Sequence, residues 1–423
     1  MMSISANQNH QSLQPGRIYF LDHMRWLLVV VMVLMHSMFS YTTSASWWYV
    51  VDEQSRIAFD ISILFYDVFG MPTFFFVAGY FSIGSLEKYR VRIFLRQKFS
   101  RLMIPWLLGV MFVGPMVVYF QHYQSLTLEG AMPEGYLDFW WIYVADGLNL
   151  FTGRLPSLEQ FTLHHFWFVS LLFFFFATQA LAWAGSSKIR NLITQLGQRP
   201  VESPREIGWA LVIFLFFTTA GYCLLIQWFE DMSHMDIYWI MVGSVLQFQP
   251  TRLFLYICYF CLGIYGYKKG WFSVSIPGGW LFWFVAATGL LIVFLLSVQR
   301  LTTAADPSLW VKLSFGVTRS GLCLALFMLF LVSARGFNST GSAISRFFST
   351  HSYNIYLIHY GIVVILQYLL LSSPMSPYLK SPLIAVLALG ASCALSYFVV
   401  KPYPRIFVLS VVTVTMIGWL TVG

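Results

Sequence analysis

Apolar stretches long enough to cross a membrane recur along nearly the whole chain. A helix rises about 1.5 Å per residue, so about 20 apolar residues cover the roughly 30 Å hydrocarbon core of a bilayer. The composition, 58% hydrophobic and only 10% charged over 423 residues, excludes an ordinary soluble domain. The sequence therefore predicts an all-α, polytopic membrane helical bundle of ten transmembrane helices, at 26–43, 61–83, 102–120, 164–184, 208–228, 253–267, 280–299, 313–333, 353–371 and 383–400.

The two ends of the chain fall outside this predicted bundle. Residues 1–16 are polar and lack the basic region and apolar run of a signal peptide, which favours a flexible cytoplasmic tail. Residues 17–405 form one transmembrane domain without an internal repeat. The apolar run within 406–423 is a candidate eleventh transmembrane helix, and the sequence leaves ten or eleven open.

Basic residues divide very unevenly between the two sides of the predicted bundle. With the N-terminus in the cytoplasm, 18 of the 25 basic residues face the cytoplasm, six of them in the segment 88–101. Twelve of the 17 acidic residues lie on the other side, five of them in the long loop 121–163. Because cytoplasmic loops carry the excess of positive charge, we expect a plasma (inner) membrane protein with a cytoplasmic N-terminus.

Arg25 and His36 form an unusual pair in the first predicted helix. Eleven helical steps bring His36 to within about 20° of the Arg25 face, about 16 Å further along the axis. Arg25 then lies at the cytoplasmic surface and His36 past the middle of the bilayer. An ionisable group at that depth is expensive and usually functional. The alternative is a core histidine that is hydrogen-bonded to a neighbouring helix.

This pair belongs to an ordered set of motifs that resembles a known family. Arg25-x10-His36 is followed by FFFVAGYF (74–81), RLMIP (101–105), HFWFV (165–169) and YNIYLIH (353–359). In this order they resemble the integral-membrane acyltransferase family 3, over residues 17 to about 405. The start YFLDHMR, the GYFS after the second helix and the lack of an attached soluble domain are most similar to the glucan-biosynthesis branch, whose members succinylate periplasmic glucans.

The resemblance implies transfer of an acyl group, succinyl or acetyl, from cytoplasmic acyl-CoA to a hydroxyl of a cell-envelope saccharide. It implies acyl-CoA as the donor substrate, an envelope glucan or other saccharide as the acceptor, and the lipid bilayer as the surroundings. We expect no tightly bound cofactor, no metal and no nucleic acid partner. The oligomeric state, the acyl chain and the sugar stay open.

His36 is the predicted general base, because imidazole is suited to removing a hydroxyl proton near neutral pH. Asp67 lies in the second predicted helix at a similar depth, about seven residues from the outer end. We therefore predict that Asp67 orients His36, as a carboxylate does in a catalytic triad. A hydrogen bond from Asp67 to the backbone or to a tyrosine is the alternative.

Acyl-CoA carries several phosphate charges, so the donor site is expected among basic side chains at the cytoplasmic face. The candidates for phosphate binding are Arg25, Arg90, Arg92, Arg96, Lys98 and Arg101. The same residues also satisfy the charge rule for cytoplasmic loops, and they could bind anionic lipid headgroups instead. Asn354 and His359 lie at a level that suits the pantetheine arm or the thioester, although helix packing explains them equally well.

The acceptor site is expected at the outer face. His164, His165 and Trp167 begin the fourth predicted helix there, and an aromatic ring beside polar groups can stack on a sugar. Tryptophan is also an ordinary interfacial anchor. Arg319, about two turns inside the eighth predicted helix, could hold the carboxylate of an acyl chain or acceptor, or could simply extend its charge to the surface.

A proton-coupled transporter or flippase of a glycan or lipid is the alternative function, with His36 and Asp67 as a proton relay. Transporters often contain inverted repeats and broken helices at the midplane. The sequence contains neither, which favours the enzyme.

Overall fold

The chain folds almost entirely into helices. A computed structural model describes residues 18–128, 130, 132, 134–151, 161–228, 239–304, 306–337, 342–405, 409 and 413. The helices are α1 (Tyr19–Met38), α2 (Ile57–Lys88), α3 (Val91–Lys98), α4 (Ile104–Leu108), α5 (Gly114–Leu128), α6 (Tyr136–Phe151), α7 (Trp167–Gly185), α8 (Ser187–Gly197), α9 (Pro204–Trp228), α10 (Pro250–Lys268), α11 (Gly279–Thr303), α12 (Leu309–Phe337), α13 (Ala343–Leu369) and α14 (Pro377–Leu395). Two short antiparallel strands, β1 (Ile240–Val242) and β2 (Leu246–Phe248), pair between α9 and α10.

The predicted all-α membrane bundle is confirmed. Among the described residues, eight helices are long and apolar enough to cross a membrane. They coincide with eight of the ten predicted spans, and the other two predicted spans fall on α10 and α13. Polar side chains such as His351, His359 and Gln367 interrupt the apolar surface of α13, since this helix lines the interior of the bundle. The predicted tail 1–16 and nearly all of 406–423 lie outside the described residues.

The third predicted span is a single helical stretch with two widened turns. π-Helical turns at Phe99–Met103 and Gly109–Val113 join α3, α4 and α5 end to end. Such turns insert an extra residue and often occur at functional sites. Here the first one follows the basic helix α3, which contacts α7.

The glycine of FFFVAGYF has a packing reason. A methyl group on Gly79 would lie 2.1 Å from the carbonyl oxygen of Phe260, and one on Gly263 would lie 2.1 Å from that of Phe76. The α2 and α10 backbones therefore touch, as small residues allow in membrane helices. This close contact fixes the position of α2 against α10 along the motif FFFVAGYF.

A segment of irregular backbone, the capping segment (residues 42–56), connects α1 to α2 and folds back over the end of α1. Asp52 within it forms a buried ion pair with Lys380 of α14, 2.8 Å long. Asp60, in the first turn of α2, accepts hydrogen bonds from the backbone N–H groups of Thr43 and Ser44 at 2.9 and 3.0 Å. The capping segment is thus fixed at both α2 and α14. We call this end of the bundle the capped end, and the end with the start of α1 and the segment 88–101 the basic end.

Candidate active site

His36 and His359 meet in the interior of the bundle. His36 Nδ1 lies 3.0 Å from His359 Nε2. His359 Nδ1 lies 3.0 Å from the Ile355 carbonyl oxygen and 2.8 Å from that of Tyr356, so it must carry the proton and donate. His359 Nε2 then accepts from His36 Nδ1–H, which leaves a lone pair on His36 Nε2. None of the described residues hydrogen-bonds to that nitrogen, and His36 keeps 8% of its surface exposed.

Two further rings complete the space around His36, which we call the histidine chamber (His36, His165, His359 and Tyr360). The His165 ring centre lies 6.5 Å from that of His36 and 5.3 Å from that of His359. Tyr360 stacks on His165 at 4.3 Å and meets His36 edge-on at 4.9 Å. The chamber therefore contains three imidazoles and no carboxylate among the described contacts.

The capping segment closes the histidine chamber at the capped end. The Trp48 ring lies nearly parallel to His36, with centres 6.0 Å apart. Trp48 Nε1 donates to Gln367 Oε1 at 2.9 Å, and Gln367 Nε2 donates to the His36 carbonyl oxygen at 3.0 Å. Gln367 thus fixes Trp48 and the last turn of α1 relative to each other.

A hydrogen-bonded chain runs from the chamber toward the start of α7. Tyr143 donates to the Thr162 carbonyl at 2.9 Å, so it accepts from His164 Nε2 at 3.0 Å. His164 Nδ1 then accepts from the Tyr49 hydroxyl at 2.5 Å. His164 adopts a left-handed backbone, φ 47°, which costs strain for a residue other than glycine. Both ring nitrogens of His164 are satisfied, so its role is to hold the capping segment and α7 in place.

An apolar cavity of about 220 Å³ lies between the basic end and the chamber. Phenylalanine, valine, alanine and leucine side chains form most of its wall. Arg25 and Lys98 are the two charged residues along it, among those the structure describes. Tyr356 forms part of its wall; the Tyr356 ring lies 5.3 Å from His165, and its hydroxyl donates to the His165 carbonyl. Tyr356 is therefore a wall shared by the cavity and the histidine chamber.

The two charged residues are held differently. Arg25 Nη2 donates to the carbonyl and hydroxyl oxygens of Ser349, both at 3.1 Å, and pairs with Asp22 at 3.2 Å. Lys98 Nζ sits 4.0 Å above the Phe176 ring and 5.3 Å from the Phe94 ring. Arg25 thus links α1 to α13 with its charge partly balanced. The Lys98 charge rests on aromatic faces.

Asp67 does not contact His36, so the predicted orienting pair is wrong. Asp67 Oδ1 lies 2.5 Å from Arg252, and Oδ2 lies 3.3 Å from Arg319. Two guanidinium groups attract a partly buried carboxylate more strongly than a neutral imidazole does. Arg319 does bind a carboxylate, as the sequence suggested, but it is that of Asp67. His359 takes the place next to His36 that was assigned to Asp67.

The remaining predicted site residues lie apart from the chamber or at its edges. Asn354 Nδ2 donates to Ser396 at 2.9 Å, joining α13 to the end of α14 away from the cavity. Trp167 stacks on Tyr256 at 5.8 Å and meets Trp239 at 5.4 Å. Four arginines of the basic segment are exposed and do not form the cavity wall: Arg90, Arg92, Arg96 and Arg101. Their binding roles stay predictions.

Sequence reasoning missed several residues of the site. Tyr356 and Tyr360 belong to the YNIYLIHY run and stand one turn before His359 and directly after it, so helical spacing could have identified Tyr356. Trp48 and Gln367 carried no signal, because a loop tryptophan and a single glutamine are common in membrane proteins. Lys380 did carry one, since it is a lysine on the side of the bundle that is poor in basic residues.

No group of three or more His, Cys, Asp or Glu side chains suited to a metal ion occurs in the part of the chain that the structure describes.

No curated protein and no solved structure matches the chain. The family model Acyl_transf_3, described as an acyltransferase domain, matches residues 18–401. That range runs from the start of α1 past the end of α14 and includes every residue of the histidine chamber. The chain therefore belongs to this acyltransferase family and is a multi-pass membrane acyltransferase.

Proposed function

We propose that the protein transfers a short acyl group from acyl-CoA, bound at the basic end, to a saccharide hydroxyl that approaches from the capped end. The observation that carries this proposal is the unprotonated Nε2 of His36, close to an apolar cavity whose charged residues are Arg25 and Lys98. A base and a path for a thioester are the two things that such a transfer needs.

The cavity suits the donor. The pantetheine arm of CoA is long, thin and largely uncharged, whereas its nucleotide carries the phosphates. Apolar walls such as Phe74, Val77 and Phe168 would contact the arm, and Lys98 would meet a phosphate. The acyl end would reach the histidine chamber once the Tyr356 ring turns aside from the carbonyl of His165.

His36 would act as a general base and then as a general acid. Its Nε2 takes the proton of the acceptor hydroxyl while the hydroxyl oxygen bonds to the thioester carbon. The C–S bond then breaks, and the thiolate of CoA takes the proton back from Nε2. His359 accepts from the His36 Nδ1–H throughout. This hydrogen bond keeps the lone pair of neutral His36 on Nε2 and stabilises the imidazolium that forms when Nε2 takes the proton. The products are an ester and free CoA thiol, and the enzyme returns to its starting state.

We further propose that the acceptor is an envelope glucan and that the acyl group is succinyl or acetyl. This part rests on the motifs that resemble the glucan-biosynthesis branch. Trp47, 57% exposed beside Trp48, offers an aromatic face at the capped end on which a sugar could stack.

The test of the donor is a thiol-release assay on the purified, detergent-solubilised protein. Acetyl-CoA, succinyl-CoA and palmitoyl-CoA are compared, each with and without a pool of β-linked glucose oligosaccharides. We expect thiol release that depends on the oligosaccharide with a short-chain thioester. Equal, saccharide-independent rates for all three would contradict the proposal.

The test of orientation is cysteine labelling in intact cells with a membrane-impermeant reagent. The native cysteines are first replaced by serine or alanine, and the variant is checked for activity. A single cysteine at Gln54, in the capping segment, should react, whereas one at Gln97, in the basic segment, should react only after lysis. The reverse pattern would place the donor site on the wrong side of the membrane for cytoplasmic acyl-CoA.

A further inference from the structure

The ring of His165 is buried and has no hydrogen-bond partner among the residues that the structure describes. The residue is 6% exposed, and neither ring nitrogen makes a hydrogen bond with any residue that the structure describes. The Tyr356 carbonyl lies near the ring without meeting hydrogen-bond geometry, and it already accepts from His359 Nδ1. Buried polar groups are nearly always paired, so an open imidazole in the interior needs an explanation.

The surroundings make a purely packing role a poor explanation. The ring of His165 touches Phe166 and Tyr360, with centres 3.9 and 4.3 Å away. A phenylalanine would keep both contacts without leaving two polar atoms unpaired. His164, its neighbour in sequence, has both nitrogens satisfied, so the local fold is able to supply partners. The difference favours a partner that is not among the described residues, such as a bound ligand.

The geometry fits a reacting group between two imidazoles. The rings of His36 and His165 lie 6.5 Å apart, centre to centre, with a tilt of 66°. This separation is compatible with a group about 3 Å from a nitrogen of each ring, which is the arrangement that a base and an oxyanion donor require. Tyr356 of the cavity wall borders the same space, since its hydroxyl donates to the His165 carbonyl.

We propose that His165 is a catalytic residue that donates a ring N–H to the carbonyl oxygen of the thioester; this inference rests on the proposed function. When the acceptor oxygen bonds to the carbonyl carbon, the C=O electron pair moves onto the oxygen, and the His165 N–H stabilises that negative charge. The pair returns to re-form C=O as the thiolate of CoA leaves. His165 stays neutral and gives up no proton, while His36 handles the transferred proton.

The experiment compares two substitutions at His165 that differ in whether they keep an N–H donor. His165→Phe keeps the ring stacking on Tyr360 but removes the donor, whereas His165→Gln keeps an N–H donor. Both variants are purified beside the wild type, checked for thermal stability and acetyl-CoA binding, and assayed for thiol release with acetyl-CoA and succinyl-CoA plus β-linked glucose oligosaccharides. The kcat, the KM for the thioester and the pH profile of kcat are measured.

We expect His165→Phe to lower kcat by about 10²–10³-fold with an unchanged thioester KM, because the lost contact forms mainly in the transition state. His165→Gln should recover at least tenfold of that loss, and its pH profile should keep the wild-type shape because His165 exchanges no proton.

A His165→Phe protein with wild-type kcat would overturn the proposal, and so would a pH limb that disappears in His165→Gln. If His165→Phe fails to fold, a kcat of His165→Gln as low as that of His165→Ala overturns it. A wild-type protein that releases no thiol would defeat the proposed function itself, which separates the two failures.

Discussion

Two carboxylates inside this bundle, Asp52 and Asp67, differ from the buried imidazoles in how fully they are satisfied. The buried Asp52 pairs with Lys380, and the quarter-exposed Asp67 pairs with Arg252 and Arg319, so each of the two meets at least one cation. In the histidine chamber, His36 keeps an open Nε2 and His165 keeps both nitrogens open. The ionic groups connect helices and the capping segment, whereas the imidazoles are the groups that we propose act on the substrate.

The difference follows from the free energy of burial. An unpaired buried charge costs several kcal/mol, so a fold tolerates it only with a partner in place. A neutral imidazole with an open nitrogen costs only about 1–3 kcal/mol, a penalty that a bound substrate can remove. In this bundle the charged groups therefore hold the scaffold, and the groups that we propose as reactive are the neutral imidazoles.

The largest effect is expected from His36. His36→Gln removes the base but keeps a polar side chain of similar length, so turnover should fall by about 10²–10⁴-fold while donor binding is retained. Asp67→Asn, by contrast, should keep the wild-type turnover per folded molecule, since Asp67 contacts two arginines and not His36. Thiol release and acetyl-CoA binding are measured on the same detergent-solubilised preparations. A larger loss of turnover in Asp67→Asn than in His36→Gln would reverse the comparison.

The next effect concerns stability and the Asp52–Lys380 pair. Lys380 is 0% exposed, so Lys380→Met leaves a buried carboxylate without its cation and should lower the free energy of unfolding by about 3–5 kcal/mol. The double variant Asp52→Asn with Lys380→Met removes both charges and should regain more than half of that loss. Thermal unfolding in detergent measures both. Equal destabilisation in the single and double variants would show that the ion pair itself contributes little.

The fold could be predicted from the sequence because the constraint on it is local. Each span is a run of apolar residues, and a membrane permits such a run little other than a helix. The seven basic residues that the charge rule left on the outer side were the informative exceptions. Three of them, Arg252, Arg319 and Lys380, bind Asp67 and Asp52. In these three cases a cation on that side of the bundle indicated an internal ion pair.

The chamber could be predicted only in part. Helical periodicity gave the depth of His36, and the motif containing His359 was recognised, but the rotation of each helix decides which side chains meet. The sequence predicts Asp67 and His36 at one depth on neighbouring helices, yet Asp67 points to α10 and α12. The cover of the chamber comes from an irregular segment, and no periodic pattern predicts where Trp48 and Tyr49 of such a segment will lie.

A smaller effect, on the KM for acyl-CoA, should distinguish the role of the cavity from that of the exposed basic surface. Lys98 forms part of the cavity wall, so Lys98→Gln should raise the KM for acyl-CoA about tenfold, the loss of a charge-assisted hydrogen bond of roughly 1.5 kcal/mol. Arg92→Gln is the matched control, because Arg92 is exposed on the same helix and outside the cavity wall. Donor and acceptor KM values are compared in both. An equal rise of the acyl-CoA KM in the two variants would indicate that the whole basic segment binds the donor, as the sequence predicts.

The smallest effect is expected at the capped end, where His122 Nε2, at the very end of its membrane span, lies 3.0 Å from Glu134 in the segment that follows. This hydrogen bond lowers the pKa of Glu134 below its ordinary value. A lowered pKa in the folded state stabilises the fold above the unfolded pKa, about 4.3, and the gain is lost as the pH falls through the folded value. Because the Glu134 side chain is 34% exposed, solvent screening limits the gain to at most about 1 kcal/mol.

Glu134→Gln should therefore lower the melting temperature slightly at pH 7 and leave it unchanged near pH 3, with turnover unaffected at pH 7. A loss of turnover in Glu134→Gln would connect this pair to the histidine chamber and would contradict a division between scaffold and reactive groups.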